Sequence, residues 1–302
     1  MSDPHGGLLL RMREVKRLEM LLRSSRLGGY DPVPLRERSL WKDDEPDLPH
    51  WPSGFGAEQE RDSFDRLLRG FNGLTVLCGE SGTGKSTAAL ACAFANVLDP
   101  GTFVAYLDAE NPIGTQVDRS CSWWGSRMKF QHAITQGIDE RFFWFEVLPG
   151  MTWTQLMNGI AERITSECQR LLIVLDSVNS LARIFPGHPL ANTSAIYMAA
   201  QSLVRPSVGA IRILALSELN GNRDLKGLEG VYMSSLALKL LREPEFGPTA
   251  ARMSMLKNRA GAFVQDLGIY DCIPERCRLE KRSDGIREED SPEKLGQYGF
   301  GV

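Results

Sequence analysis

Gly79-Glu80-Ser81-Gly82-Thr83-Gly84-Lys85-Ser86 is a glycine, four residues, then Gly-Lys-Ser. Its surroundings give the motif its meaning. The apolar run Leu74-Thr75-Val76-Leu77 leads in as a strand, and the alanine-rich run from Thr87 to Ala95 leads out as a helix. Glycines between a strand and a helix let the backbone wrap into a nest of N–H groups, a shape that holds phosphate. The helix N-terminus adds the positive end of its dipole. The stretch predicts binding of ATP with magnesium (Mg2+). Gly79, Glu80, Ser81, Gly82, Thr83, Gly84, Lys85, Ser86 and Thr87 form the expected cradle. Lys85 would reach the β- and γ-phosphates, and Ser86 would ligate the metal.

Outward from this loop, strands and helices alternate. Strands are expected at 74–78, 103–108, 142–147, 171–175 and 211–217. Helices are expected from 84 to about 97, near 115–128, at 153–168 and near 192–205. Residues 231–272 read as mostly strands. Alternation of this length predicts an α/β fold whose central sheet is mainly parallel and flanked by helices. Two strands end in acids. Leu171-Leu172-Ile173-Val174-Leu175-Asp176 is a continuous apolar run closed by a carboxylate. A buried parallel strand looks like this, and its C-terminal end opens on the ligand crevice. Asp176 is therefore expected at the metal. Phe103-Val104-Ala105-Tyr106-Leu107-Asp108-Ala109-Glu110 ends in a pair of acids. Hydrolysis needs a group that orients the attacking water; Glu110 is the first candidate and Asp108 the second.

This order of motifs resembles the RecA-fold P-loop ATPases over roughly residues 64–280. The resemblance implies that Glu110 activates water. It is nearest to the core of bacterial RadA (Sms) and to DnaB-type helicases. Leu214-Ala215-Leu216-Ser217-Glu218-Leu219-Asn220 is similar to the family's sensor strand, with Glu218 where glutamine or histidine is usual. An ionised carboxylate cannot donate a hydrogen bond to a γ-phosphate. Asp224-Leu225-Lys226-Gly227 also resembles RadA. Lys257-Asn258-Arg259-Ala260-Gly261 is similar to the K-N-R-F-G motif of RadA and the K-x-R motif of the helicases, with alanine in place of phenylalanine. On a strand, Lys257 and Arg259 share one face. The resemblance gives them a catalytic role, reaching a neighbouring subunit's ATP as an arginine finger does. It implies a homo-oligomeric ring, with a hexamer as one possible size. It also implies single-stranded DNA as a partner and work in replication, recombination or repair. Arg183, His188, Asn222, Arg223 and Lys226 lie in the loops that would hold DNA. A KaiC-like regulatory ATPase that acts on protein partners without DNA is the alternative.

The rest of the chain sets bounds on these readings. It has 302 residues, 42% hydrophobic and 24% charged, with a net charge of -3 and a pI near 5.9. Bulk charge therefore gives no argument for nucleic acid. The six cysteines include no C-x-x-C pair, which argues against zinc and for reduced thiols in the cytoplasm. No apolar run is long enough for a bilayer. Residues 1–58 read as a basic helical arm and linker, 59–280 as the ATPase core, and 281–302 as a charged tail. Trp123-Trp124 with Arg127, Lys129 and Phe130 has two readings, stacking on single strands or aromatic packing in the core or at an interface.

Overall fold

The computed structural model describes residues 51–54, 73–111, 113–204, 210–219, 229–259, 263–273 and 276–282. The first strands show why a sheet covered on both sides forms. In β1 (Leu74–Gly79), Leu74, Val76 and Cys78 enter one core while Leu77 enters the other. In β4 (Arg170–Asp176), Leu171, Ile173 and Leu175 face the first core, and Leu172 and Val174 the second. Side chains of a strand alternate in direction, so an unbroken apolar run needs helices on both faces. Between these strands lie α1 (Lys85–Val97), β2 (Thr102–Asp108), α2 (Ile113–Trp123), α3 (Arg127–Ala133), β3 (Phe142–Glu146) and α4 (Trp153–Arg163). After β4 come α5 (Val178–Ile184), α6 (Pro189–Val204), β5 (Ile211–Glu218) and α7 (Glu229–Met233). The chain continues through β6 (Leu236–Arg242), β7 (Ala250–Asn258), β8 (Asp266–Ile273) and β9 (Arg278–Lys281).

Among the described residues the sheet has nine strands in the order β3-β2-β4-β5-β1-β6-β7-β8-β9. The neighbours from β3 to β6 are parallel, and β7, β8 and β9 extend the sheet as an antiparallel meander. Strand β5 stands between β1 and β4, so the glycine loop and Asp176 are two strands apart. The expected α/β class with a mainly parallel sheet is what the chain adopts. No helix among the described residues is long and apolar enough to cross a membrane.

Two expected helices need correction, and one helix was not expected. The helix expected near 115–128 is two helices: α2 stops at Trp123, Gly125 turns the chain at φ 79°, and Ser126 accepts a hydrogen bond from Lys129 N to start α3. A positive φ is open to glycine without steric cost. The helix expected at 153–168 ends at Arg163, because Ile164 is extended at φ -73° and ψ 127°. The segment after Asp176 forms α5, which the sequence pattern does not predict; Ser177 caps it by accepting from Ser180 N. The expected arm at 1–30, the linker before Trp51 and the tail after Arg282 lie outside the described residues.

Candidate nucleotide site

The loop after β1 is shaped by its own backbone. Gly84 is left-handed at φ 87° and occupies the N-cap position of α1, where no side chain caps the helix. The first N–H groups of a helix have no intrahelical acceptor, so this end is left able to receive an anion. The helix itself forms because alanine fills it and lets it lie flat on the sheet; most of its residues are buried. Lys85 is 8% exposed and curls back over the loop. Its ammonium donates to the carbonyls of Gly79 at 3.0 Å and Glu80 at 2.7 Å. Burial pushes its pKa down, against the pull of Glu218, Glu110 and Asp176. Thr83 Oγ1 donates to Glu80 O and tightens the turn.

Strand register carries the acids to the same end. Gly79 is level with Glu218 across β1 and β5, and Asp108 is level with Asp176 across β2 and β4. Ser86 Oγ donates to Asp176 Oδ1 at 3.1 Å, and the Tyr106 hydroxyl donates to Asp176 Oδ2 at 2.7 Å. Burial pushes the Asp176 carboxyl up to about 7; the Tyr106 hydrogen bond opposes this, and Asp108 and Glu110 add to it. A desolvated carboxylate beside a hydroxyl and a second carboxylate is a poor place for negative charge alone. It suits a hard divalent cation with oxygen ligands, so the residues fit magnesium. Glu110 Oε1 accepts from the hydroxyls of Ser177 and Ser180, the latter at 2.6 Å. Asp108 turns away from the cleft. It accepts from the backbone N–H of Glu110 and Asn111 at 2.9 Å each, and from the Gln116 amide, and so holds the chain that presents Glu110.

These groups surround a cleft of about 330 Å³, lined by Ser81, Gly82, Gly84, Lys85, Ser86, Thr87, Glu110, Asp176 and Glu218 among others. Glu218 ends β5, where its N–H donates to Asn179 Oδ1 at 2.9 Å. Sequence reasoning missed Tyr106, Ser177, Ser180 and Arg119, which also line or support the cleft. Only the hydroxyl types just after the acid expected at the metal, Ser177 and Ser180, carried a local hint.

Lys257 and Arg259 do not join this cleft. Lys257 is level with Ala237 near the start of β6, while the loop end of β1 is level with Leu240. That is about 10 Å back along the strands at ~3.3 Å per residue, and two strands across. The two cations converge instead on the end of α7. Lys257 Nζ donates to Val231 O and Tyr232 O, and Arg259 Nη2 donates to Tyr232 O at 3.0 Å. Burial and the Arg259 charge push the Lys257 pKa down. Trp123 and Trp124 pack on Phe94 at centroid distances of 5.0 and 6.2 Å, so the interior reading holds for them. Arg183 is exposed but stands in the last turn of α5 and not in the expected loop, whereas His188 is exposed in the connection between α5 and α6. Asn222, Arg223 and the 224–227 segment lie outside the described residues, as do Ala260 and Gly261.

Residues 42–208 match a family described as AAA domain. No curated protein matches the chain. Among solved structures, one ATPase domain superposes with a TM-score of 0.63 at 14% identity, covering 84% of this chain and 100% of that one. A DnaB-like replicative helicase, in a structure that concerns its interactions with primase, gives 0.62 at 13% identity, with 90% of this chain and 76% of that one covered. At such identities the likeness is one of fold, and it is the RecA-like fold of P-loop ATPases. The match spans the loop, both acid-ended strands and the helices between them, and by it the chain belongs to the AAA domain family.

Proposed function

We propose that the protein hydrolyses ATP as a RecA-like, DNA-linked enzyme of the replicative-helicase kind. It works as a homo-oligomeric ring with each ATP between two subunits. In this reading residues 59–280 are the ATPase core, 1–58 an arm and linker, and 281–302 a tail. The loop from Gly79 to Thr87 holds the phosphates. Lys85 leaves the Gly79 and Glu80 carbonyls to neutralise the β- and γ-phosphates. Ser86 and Asp176 hold magnesium, which supplies positive charge where negative charge develops. Glu110, fixed by two serine hydroxyls, orients the attacking water and accepts its proton. Lys257 and Arg259 complete the neighbour's site.

The observation that carries the interface reading is the distance of Lys257 and Arg259 from the cleft of their own subunit, together with their convergence on one carbonyl. Two cations so placed are suited to a phosphate on another molecule. The likeness in fold to a solved ATPase domain and to a DnaB-like replicative helicase supports hydrolysis and the DNA link. RadA-like recombination and repair are neighbouring roles within the same reading.

The test is ATP turnover with and without single-stranded DNA, with Lys85→Ala as the blank. The expected outcome is stimulation of several-fold that falls with added salt, because phosphate contacts release counterions. Turnover that ignores DNA would favour a KaiC-like switch on protein partners, which the net charge of -3 also suits. Turnover that survives Lys85→Ala would overturn the ATPase reading.

A further inference from the structure

Arg119 lies on α2, the helix that begins just after Glu110-Asn111, and its side chain lines the nucleotide cleft. Its Nη1 is buried and, among the described residues, has no hydrogen-bond partner. A guanidinium is always charged at working pH, and a buried donor left without an acceptor is costly. Three acids stand nearby, yet each is engaged elsewhere. Asp108 takes Gln116, Asn111 and two backbone N–H groups. Asp176 takes Ser86 and Tyr106, and Glu110 takes Ser177 and Ser180. Arg119 is near enough to Tyr106 for its charge to act on the phenol, which puts it at the Asp176 end of the cleft.

Glu110, Asp176 and Glu218 line the cleft together with Lys85 and Arg119, and Arg242 is tied to the loop at its rim, where it donates to the Ser81 carbonyl at 3.0 Å. Glu218 ends the strand between the loop strand and the Asp176 strand, and as a carboxylate it repels a γ-phosphate rather than donating to it. We propose that Arg119 binds the γ-phosphate of ATP within its own subunit, supplying the donor that Glu218 cannot. The inference rests on the ATPase reading above and names a further residue of that site. Arg119 thereby tells triphosphate from diphosphate, since its target is the phosphate lost on hydrolysis. It places a fork of donors where charge builds on the γ-phosphoryl group.

The test compares binding of ADP and of the slowly hydrolysed analogue ATPγS, with magnesium, to wild type, Arg119→Gln and Arg119→Lys. In Arg119→Gln, ADP affinity is expected within about twofold of wild type, while ATPγS affinity falls about 10- to 100-fold. Arg119→Lys, which keeps the charge and loses the fork, falls between. An Arg119→Gln chain that keeps wild-type ATPγS affinity would overturn the proposal, as would one that loses ADP and ATPγS equally. If melting curves show that the glutamine variant does not fold, the lysine variant decides. A reduced preference for ATPγS over ADP supports the role, and an unchanged preference ends it. A wild-type chain that binds neither nucleotide would overturn the ATPase reading itself, an outcome distinct from all of these.

Discussion

Asp176 concentrates the conflict in the site into one side chain. It is 1% exposed, both of its oxygens accept hydrogen bonds, and its folded pKa sits at about 7. An unfolded aspartate titrates at about 3.9. Between these values the folded chain binds a proton that the unfolded chain does not. Stability therefore falls as pH rises from about 4 to about 7, and stays low above that. Magnesium is expected to cancel this loss, because a cation favours the ionised form. Melting temperatures between pH 4 and 8, without metal, should show the slope in wild type and not in Asp176→Asn. At pH 8 the asparagine variant should melt higher, and added magnesium should raise the wild type alone. Equal slopes in the two chains would show that Asp176 is not the group responsible. Asp176 and Glu110 were legible in the sequence because the first closes an apolar strand and the second follows one by two residues, a local signal. Tyr106 and Arg119 were not. Tyr106 reads as one more buried strand aromatic, and Arg119 as one charge on a polar helix face. Their places at the cleft come from the pairing of β2 with β4 and from where α2 lies against the site, which no local pattern encodes.

At the scale of elements, alternation and apolar runs were enough for the parallel strands, and β1, β2 and β4 start and end within a residue or so of expectation. Helix ends were less legible. Trp123 and Trp124 kept the helical period going, but Gly125 and the Ser126 cap break it. The turn of α5 was hidden because its cap, Ser177, follows directly on the acid that dominates the reading of β4. A further element-scale contact joins the linker to the sheet. Trp51 is 4% exposed and its ring carries two guanidiniums, Arg212 at 4.4 Å and Arg170 at 5.3 Å from the ring centroid. Those arginines stand near the starts of β5 and β4, the end of the sheet opposite the cleft. Burial, and then the charge of Arg170, push the Arg212 pKa down. An aromatic face offsets part of that burden through cation–π attraction. Trp51→Ala should cost about 3–5 kcal/mol of stability, the range for large aromatics lost from a core. ADP affinity of the molecules that remain folded should not change. Denaturant melts and nucleotide titration on the same sample check both halves, and a loss of affinity without loss of stability would place Trp51 in a different role.

The whole molecule poses the question of how one subunit's site is completed. The P-loop and its acids occupy the C-terminal end of the parallel strands, while Lys257 and Arg259 point to the opposite end, at the end of α7. The carbonyl of Tyr232 accepts from both cations, and Tyr232 itself is 75% exposed. In the proposed ring, these cations on an exposed turn meet a surface that is not their own. A head-to-tail ring joins such unlike faces around a closed circle. It follows that a subunit with a dead P-loop can still serve its neighbour, and so can a subunit with no finger. Lys85→Ala should be inactive alone, and so should Lys257→Ala/Arg259→Ala. Mixed in equal amounts, they should regain about a quarter of the wild-type turnover, because random head-to-tail assembly pairs an intact loop with an intact finger at about one junction in four. The regained activity should grow with total protein concentration, as assembly does. Full activity of the double variant on its own would remove Lys257 and Arg259 from the reaction. A mixture that stays inactive, from two variants that each assemble as wild type does, would confine the site to one subunit, where Lys85 and Arg119 line the cleft and Arg242 is tied to its loop.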